Sequence, residues 1–238
     1  MKHMPPRASE PYRLFLRIGL CFFGTLFSNT TFAAGDGINP ETFDHPVRVA
    51  CVGDSITQGV GVVDRAKDSY PAQLQSLLGA KWVVTNFGVG GRTLLRKADP
   101  YDIGPALRSK PDVVVIMLGT NDSRQQTWDK FGGDFGGDYG AIIEKFKALD
   151  SHPRIWICDP VPSFPGNFGI TDALLTEKVI PRINEVAKAK SVAVIDLHAA
   201  LLDQKANFPD KVHPNAPAAR RIAETVAAAL TGASAVTK

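Results

Sequence analysis

Short apolar runs alternate with stretches of helical spacing along most of the chain. The runs are Val47–Val52, Trp82–Phe87, Val113–Leu118, Arg154–Cys158 and Val192–Ile195. Most are followed by Gly, Asp or Asn, as expected of a strand that stops where the chain must turn. Between and after them, Tyr70–Leu78, Gly140–Leu149, Thr171–Lys190 and Pro217–Leu230 place apolar residues on one helical face. Pro181 should kink or divide the third of these helices, whereas Pro217 falls in the first turn of the fourth, where proline is tolerated. Continuous apolar strands that alternate with helices predict a parallel sheet covered on both faces. Right-handed crossovers then give a five-stranded, three-layer α/β/α domain of flavodoxin-like type. In such a domain, sites form at the carboxyl ends of the strands.

Other segments break the pattern. Residues 1–33 begin with basic side chains, continue through the apolar run Ile18–Phe27 and end in Thr31-Phe32-Ala33. That is the layout of a secretory signal peptide; the run is short for a membrane-spanning helix, and an uncleaved anchor is the other way to read it. Leu20 is too bulky for Cys21 to be a lipoprotein acylation site. Residues 34–46, rich in Gly, Asp and Pro, read as a linker, 47–232 as the α/β domain and 233–238 as a tail. The stretch from Phe131 to Tyr139 repeats Gly-Gly-Asp, which faintly suggests a calcium-binding repeat. A single copy reads better as a flexible loop with Asp138 capping the next helix.

Composition changes this picture in one respect. The formal charge is +3, but four of the 27 basic residues and one of the 24 acidic residues fall within 1–33. Their removal leaves the two signs balanced, so the domain has no electrostatic reason to bind nucleic acid or an anionic membrane. Apolar residues make up 44% and charged residues 21%, which is ordinary for a soluble globular protein. Cys51 and Cys158 lie in strands that should not be neighbours and read as buried free thiols, although an oxidising compartment would permit a bridge.

Candidate chemistry lies at the strand ends. Ser55, in Gly53-Asp54-Ser55, stands where a strand hands over to a helix, close to amides that can donate to an oxyanion. A serine that only caps the helix fits this motif too. His213 lies three residues after Asp210, a spacing that brings carboxylate and imidazole to one side of a turn. Asp210 can then orient the ring so that its other nitrogen accepts a serine proton. Such a pair is also common in purely structural turns. His3, His45 and His152 are badly placed to act as base, and His198 could at most line the pocket. Gly91, after the second strand, would let a backbone N–H approach a substrate closely. Asn121, after the third, offers a neutral amide donor, although a tight turn and a loop amide bonding its own backbone explain these two equally. Asp54 organises the turn and is a candidate substrate contact. Among the loop aromatics Trp128, Phe131, Phe135, Phe164 and Phe168, we take Trp128, Phe164 and Phe168 as candidate substrate contacts, although closing the edge of the core explains any one of them at least as well.

Taken together, Gly-Asp-Ser55, Asn-x-Gly-x-x-Gly91-x-Thr, Gly-Thr-Asn121-Asp and Asp210-x-x-His213-Pro resemble the four motifs of the SGNH (GDSL-type) hydrolases in order and position. The resemblance covers nearly all of the chain after the leader. It implies Ser55 as nucleophile, His213 as base and Asp210 as its partner. The Ser55 and Gly91 amides and the Asn121 side chain would form the oxyanion hole. The implied reaction is acyl transfer to water through an acyl-serine, with no metal or organic cofactor. Phe87–Leu95, Leu118–Trp128 and Phe208–Asn215 look most like carbohydrate acetylesterases of the sialate O-acetylesterase-like and acetylxylan-esterase-like groups. The expected substrate is therefore an acyl ester of a small molecule or polysaccharide outside the cytoplasm. The alternatives are a lysophospholipase or thioesterase for longer acyl chains, and a non-catalytic carbohydrate-binding protein on the same fold.

Overall fold

The computed structural model describes residues 1, 3, 37–99, 102–164 and 168–233. The chain divides into Met1–Phe32 and Ala33–Lys238, and the architecture below is that of the second unit. The expected leader, its cleavage site and residues 234–238 lie outside the described residues.

Strand β1 (Val47–Gly53) runs into the short helix α1 (Ser55–Gln58), followed by α2 (Arg65–Asp68) and α3 (Tyr70–Leu78). Then come β2 (Trp82–Gly88), α4 (Gly104–Arg108), β3 (Val113–Met117), α5 (Gln125–Phe131) and α6 (Phe135–Lys147). The chain closes with β4 (Arg154–Asp159), α7 (Asp172–Leu174), α8 (Ile180–Lys190), β5 (Ala193–Asp196), α9 (Leu197–Leu201) and α10 (Ala216–Thr231). All strand pairs are parallel, in the order β2-β1-β3-β4-β5. The fold is the three-layer α/β/α arrangement, and its order reverses between β1 and β3, which is where such sheets open a crevice.

Period-two alternation divides the strands between two cores. Val49, Cys51, Val113, Val115, Met117, Trp156 and Cys158 face Tyr70, Leu74, Ile222 and Val226 of α3 and α10. Ala50, Val52, Val114, Ile116, Ile155 and Ile157 face Phe135, Tyr139, Ile143, Phe146 and Ile183 of α6 and α8. The central strands are thus covered on both sides. Edge strand β2 is not, and Val83 is exposed, so the expectation of five fully enclosed strands fails at this edge. Cys51 and Cys158 are free and buried, with β3 between their strands. Burial pushes the Cys51 thiol up to about 12, far from a reactive thiolate.

The glycine-rich stretch departs from expectation. Gly132–Asp134 forms a 3-10 turn, and α6 begins at Phe135, so the flexible-loop reading is incorrect. Glycine weakens a helix by roughly 1 kcal/mol each. Phe135, Tyr139, Ile142, Ile143 and Phe146 fall on one helical face and are buried, and each large side chain contributes about 1.5–3 kcal/mol on burial. Tertiary packing therefore outweighs the local propensity. Asp138 is not a cap either: it lies within the first turn and accepts a hydrogen bond from the Arg96 amide at 2.9 Å. The break expected near Pro181 is present, because a π-helical segment at Leu175–Val179 leads into α8, with Pro181 in its first turn.

Candidate active site

Ser55 is the first residue of α1, at the carboxyl end of β1. The Asp54 carboxylate caps that helix by accepting from the Ile56 amide at 2.9 Å, which leaves the Ser55 hydroxyl free of capping duty. The turn is tight because Gly53 and Gly88 end their strands against α1. A side chain on Gly88 would come within 2.2 Å of the Gln58 nitrogen. Asn86 seals the junction, donating to the Thr57 carbonyl at 2.7 Å and accepting from the Gly88 amide at 2.8 Å.

The turn 210–213 brings the other two groups to Ser55. Lys211 has φ +74, a left-handed conformation costly for a side-chain-bearing residue. Asp210 stabilises it: Oδ1 accepts from the Val212 amide at 3.0 Å and the His213 amide at 2.7 Å, and Oδ2 accepts from His213 Nδ1 at 2.6 Å. On the far side of the ring, His213 Nε2 lies 2.9 Å from Ser55 Oγ. Burial alone would raise the Asp210 carboxyl, but the His213 and Val212 amides and the imidazole outweigh it and hold Asp210 below the usual carboxylate range. An ionised Asp210 can only accept, so Nδ1 carries the proton and Nε2 presents its lone pair to the serine. The arrangement can therefore remove a proton from Ser55 Oγ.

One neighbour of His213 carries no sequence signal of its own. Gly61, at φ +99, packs so closely that a Cβ there would lie 2.9 Å from His213 Cβ and 2.7 Å from the Pro214 carbonyl. A glycine in a loop of ordinary composition does not advertise that contact. The Phe168 ring meets the His213 ring edge-on, with centroids 5.7 Å apart, and is exposed on its other side.

Asn121, 4% exposed, follows β3, and Gly91, exposed with φ +76, follows β2. The two are linked, because Asn121 Nδ2 donates to the Arg92 carbonyl at 2.9 Å. Gly90 lies in the same loop, and a Cβ there would stand 4.0 Å from Ser55 Cβ and 2.9 Å from Gln58 Oε1. Buried Asp122 pins the loop by accepting from the Leu94 and Leu95 amides at 3.0 Å. Burial pushes the Asp122 carboxyl up to about 6.

The remaining expected contacts are distributed unevenly. Asp54 has no exposed surface, so it organises the turn and cannot touch a substrate, which corrects its candidacy as a contact. Trp128 packs against Phe135 at 5.4 Å and lines a groove with Glu177, Lys178, Arg182 and Glu185 that includes none of Ser55, Asp210 and His213. Phe135 is entirely buried, and Phe131 is partly buried against the same core. Phe164 packs on Phe208 at 5.2 Å, with its amide donating to the Lys211 carbonyl at 2.8 Å, so it supports the 210–213 turn. Of the three aromatics taken as candidate substrate contacts, Phe168 stands beside His213. His198 pairs with Asp172 at 3.0 Å rather than with Ser55.

Burial of Asp54 has a measurable consequence. Loss of solvation pushes its carboxyl up to about 7, against the ordinary aspartate value of about 3.9 in an unfolded chain. Between those values the folded state holds a proton that the unfolded state has lost, so Asp54 makes stability fall as pH rises through that window. Asp54→Asn keeps an oxygen for the Ile56 amide and has no carboxyl to ionise. The melting temperature of the variant should fall less between pH 5 and pH 8 than that of the parent. Equal falls would show that Asp54 is not held protonated.

Comparison with known proteins adds three findings. A sequence model of the GDSL-like lipase/acylhydrolase family matches residues 51–221. An acetylxylan esterase of Xylanibacter ruminicola is 41% identical over 214 residues, an alignment covering 80% of this chain and 44% of that protein. The chain thus spans less than half the length of that relative. Among solved structures, a carbohydrate acetylesterase family member from Sinorhizobium meliloti aligns with a TM-score of 0.63 at 20% identity, over 77% of this chain and 99% of that one. A catalytic mutant of an acetylxylan esterase from Geobacillus stearothermophilus aligns with a TM-score of 0.62 at 19% identity, over 79% and 95% respectively. At these identities the structural likeness concerns the fold.

Proposed function

The chain belongs to the GDSL-like lipase/acylhydrolase family, and from that premise we propose that it is a serine esterase removing short acyl groups, acetyl above all, from carbohydrates. The observation that carries the chemistry is the continuous relay from Ser55 Oγ through His213 to Asp210, with spacings of 2.9 and 2.6 Å. Support for the acetylated carbohydrate comes from the 41% identity to an acetylxylan esterase.

In this reading, Ser55 Oγ attacks the ester carbonyl carbon while His213 Nε2 takes the hydroxyl proton. The negative charge that forms on the carbonyl oxygen is met by the Ser55 and Gly91 amides and by Asn121 Nδ2. As the tetrahedral species collapses, the bond to the sugar oxygen breaks and His213 returns its proton to that oxygen. The sugar hydroxyl leaves, and the acyl group stays on Ser55. Water then attacks the acyl-serine, giving its proton to His213, and a second collapse releases the carboxylic acid and restores Ser55. Asp210 stays ionised throughout and stabilises the imidazolium that forms twice in each cycle. The exposed ring of Phe168, edge-on to His213, offers an apolar face on which an acyl group or sugar would rest. Residues 1–33 are a leader for export, which would bring the domain to extracellular polysaccharide.

A series of p-nitrophenyl esters tests the acyl preference. Each methylene buried in a matching pocket is worth about 0.8 kcal/mol, so a long acyl site rewards chain length steeply and a small one penalises it. We expect kcat/KM to fall from acetate to butyrate and to be negligible at octanoate, with acetate released from acetylated xylo-oligosaccharide. Faster turnover of octanoate or palmitate than of acetate would replace this reading with a lysophospholipase or thioesterase.

A further inference from the structure

Asn121 can serve an oxyanion only if its amide presents nitrogen rather than oxygen. The two ends of a side-chain amide are nearly identical in shape, so neighbouring groups must choose the orientation. Here two groups of opposite character do so. The Arg92 backbone carbonyl, which can only accept, lies 2.9 Å from Nδ2. An Arg124 guanidinium Nη2, which can only donate, lies 2.9 Å from Oδ1. Rotating the amide by half a turn would set oxygen against oxygen at Arg92 and nitrogen against nitrogen at Arg124. The remaining N–H of Asn121 faces Asp54 Oδ2 at 3.5 Å, too long for a strong hydrogen bond, so it is the one left for an anion.

Arg124 is itself held on three sides. Its Nε donates to the Phe168 carbonyl at 3.2 Å. Its backbone pairs in an antiparallel bridge with Ile170, and its carbonyl accepts two amides from the first turn of α5, those of Thr127 and Trp128, both at 2.9 Å. Phe168, at φ +57, adopts a conformation costly for a bulky residue, and its ring meets His213. One guanidinium therefore spans from the Asn121 amide to the loop whose aromatic ring borders the base.

We propose that Arg124 is a positioning residue that locks the orientation of the Asn121 amide, so that Nδ2 faces the developing oxyanion, and ties that amide to the Phe168 loop. The proposal rests on the reading of Asn121 as an oxyanion donor. Arg124 touches no reacting atom in this role, so its effect should appear in kcat and only when Asn121 is present.

The test uses p-nitrophenyl acetate with the full chain and its Asn121→Ala, Arg124→Ala, Arg124→Lys and Arg124→Gln variants and the Asn121→Ala/Arg124→Ala double variant. Removing the donor outright should lower kcat about 10²–10³-fold. Arg124→Ala, which leaves Asn121 present but oriented by the Arg92 carbonyl without the guanidinium, should lower kcat by a smaller factor, about 10-fold or more. In the Asn121→Ala background the same change should alter kcat less than about threefold, because the interacting partner is already gone. Any effect through the Phe168 carbonyl enters both backgrounds and cancels in the cycle. Arg124→Lys, donor-only like arginine, should keep most of the turnover. Arg124→Gln, whose amide can donate or accept, should not. If Arg124→Ala fails to fold, this Lys/Gln pair still decides the matter. Equal kcat for Lys and Gln, or equal losses in the two backgrounds, would overturn the lock while leaving the oxyanion reading intact. An Asn121→Ala variant with undiminished kcat would overturn both.

Discussion

Replacing Ser55 by alanine should lower kcat for p-nitrophenyl acetate about 10⁶-fold and leave the protein folded. The fold should survive because Ser55 is not the residue that caps α1; Asp54 is. The change removes one oxygen whose side-chain hydrogen bond runs to His213, at a position with 9% exposure. No buried donor is orphaned, so the melting temperature should stay close to that of the parent. The loss of turnover should be nearly complete because no other group in the relay can hold the acyl chain. What remains should be the smaller acceleration from an oxyanion hole acting on direct attack by water. Intact-mass measurement after a fluorophosphonate should find one adduct on the parent, on Ser55, and none on the variant. An adduct on another serine, together with an active Ser55→Ala protein, would remove Ser55 from the mechanism.

The second large effect concerns the two partners, which should differ. His213→Ala removes the proton acceptor and should approach the Ser55→Ala defect, with little further loss when both are combined, since such residues act as a unit. Asp210→Asn is the more informative change at the other position. It keeps an oxygen for the Val212 and His213 amides, so the turn that contains left-handed Lys211 should persist. It places an amide where Oδ2 accepted from the ring at 2.6 Å. An N–H there favours a bare Nδ1 and puts the proton on Nε2, facing Ser55, in the wrong tautomer to act as base. The expected loss is about 10⁴-fold in kcat, less than for His213→Ala. Circular dichroism and thermal unfolding should match the parent. Full activity in Asp210→Asn would mean that the tautomer is fixed by another group.

What could be read from the sequence followed from interactions close together along the chain. The central apolar runs are legible because a strand buried on both faces must be apolar throughout, as Val113–Met117 is. Ser55 was legible from its position at a strand end, and the Asp210–His213 pair from its spacing of three. That spacing can be satisfied by the turn itself, and the structure satisfies it with two backbone amides and the ring. The parallel order then brings the ends of β1, β2 and β3 side by side, so Ser55, Gly91 and Asn121 share one edge.

Only the tertiary structure decided the rest, because the deciding contacts join residues far apart in sequence through chemically unspecific groups. Gly61 meets His213, Asp122 holds the Leu94 and Leu95 amides, and Arg124 holds the Phe168 carbonyl. Backbone amides, carbonyls and a glycine's missing side chain leave no trace in composition or periodicity. The same reason explains the errors. Phe131–Tyr139 has the local composition of a loop, but burial of Phe135 and Tyr139 against the sheet makes most of it helix. Trp128 and Phe164 look like free aromatics until the packing partners Phe135 and Phe208 are seen beside them. Local spacing could propose the reacting groups. Which neighbours orient them depended on how distant segments close over the sheet edge, and that is set by the packing of the whole domain.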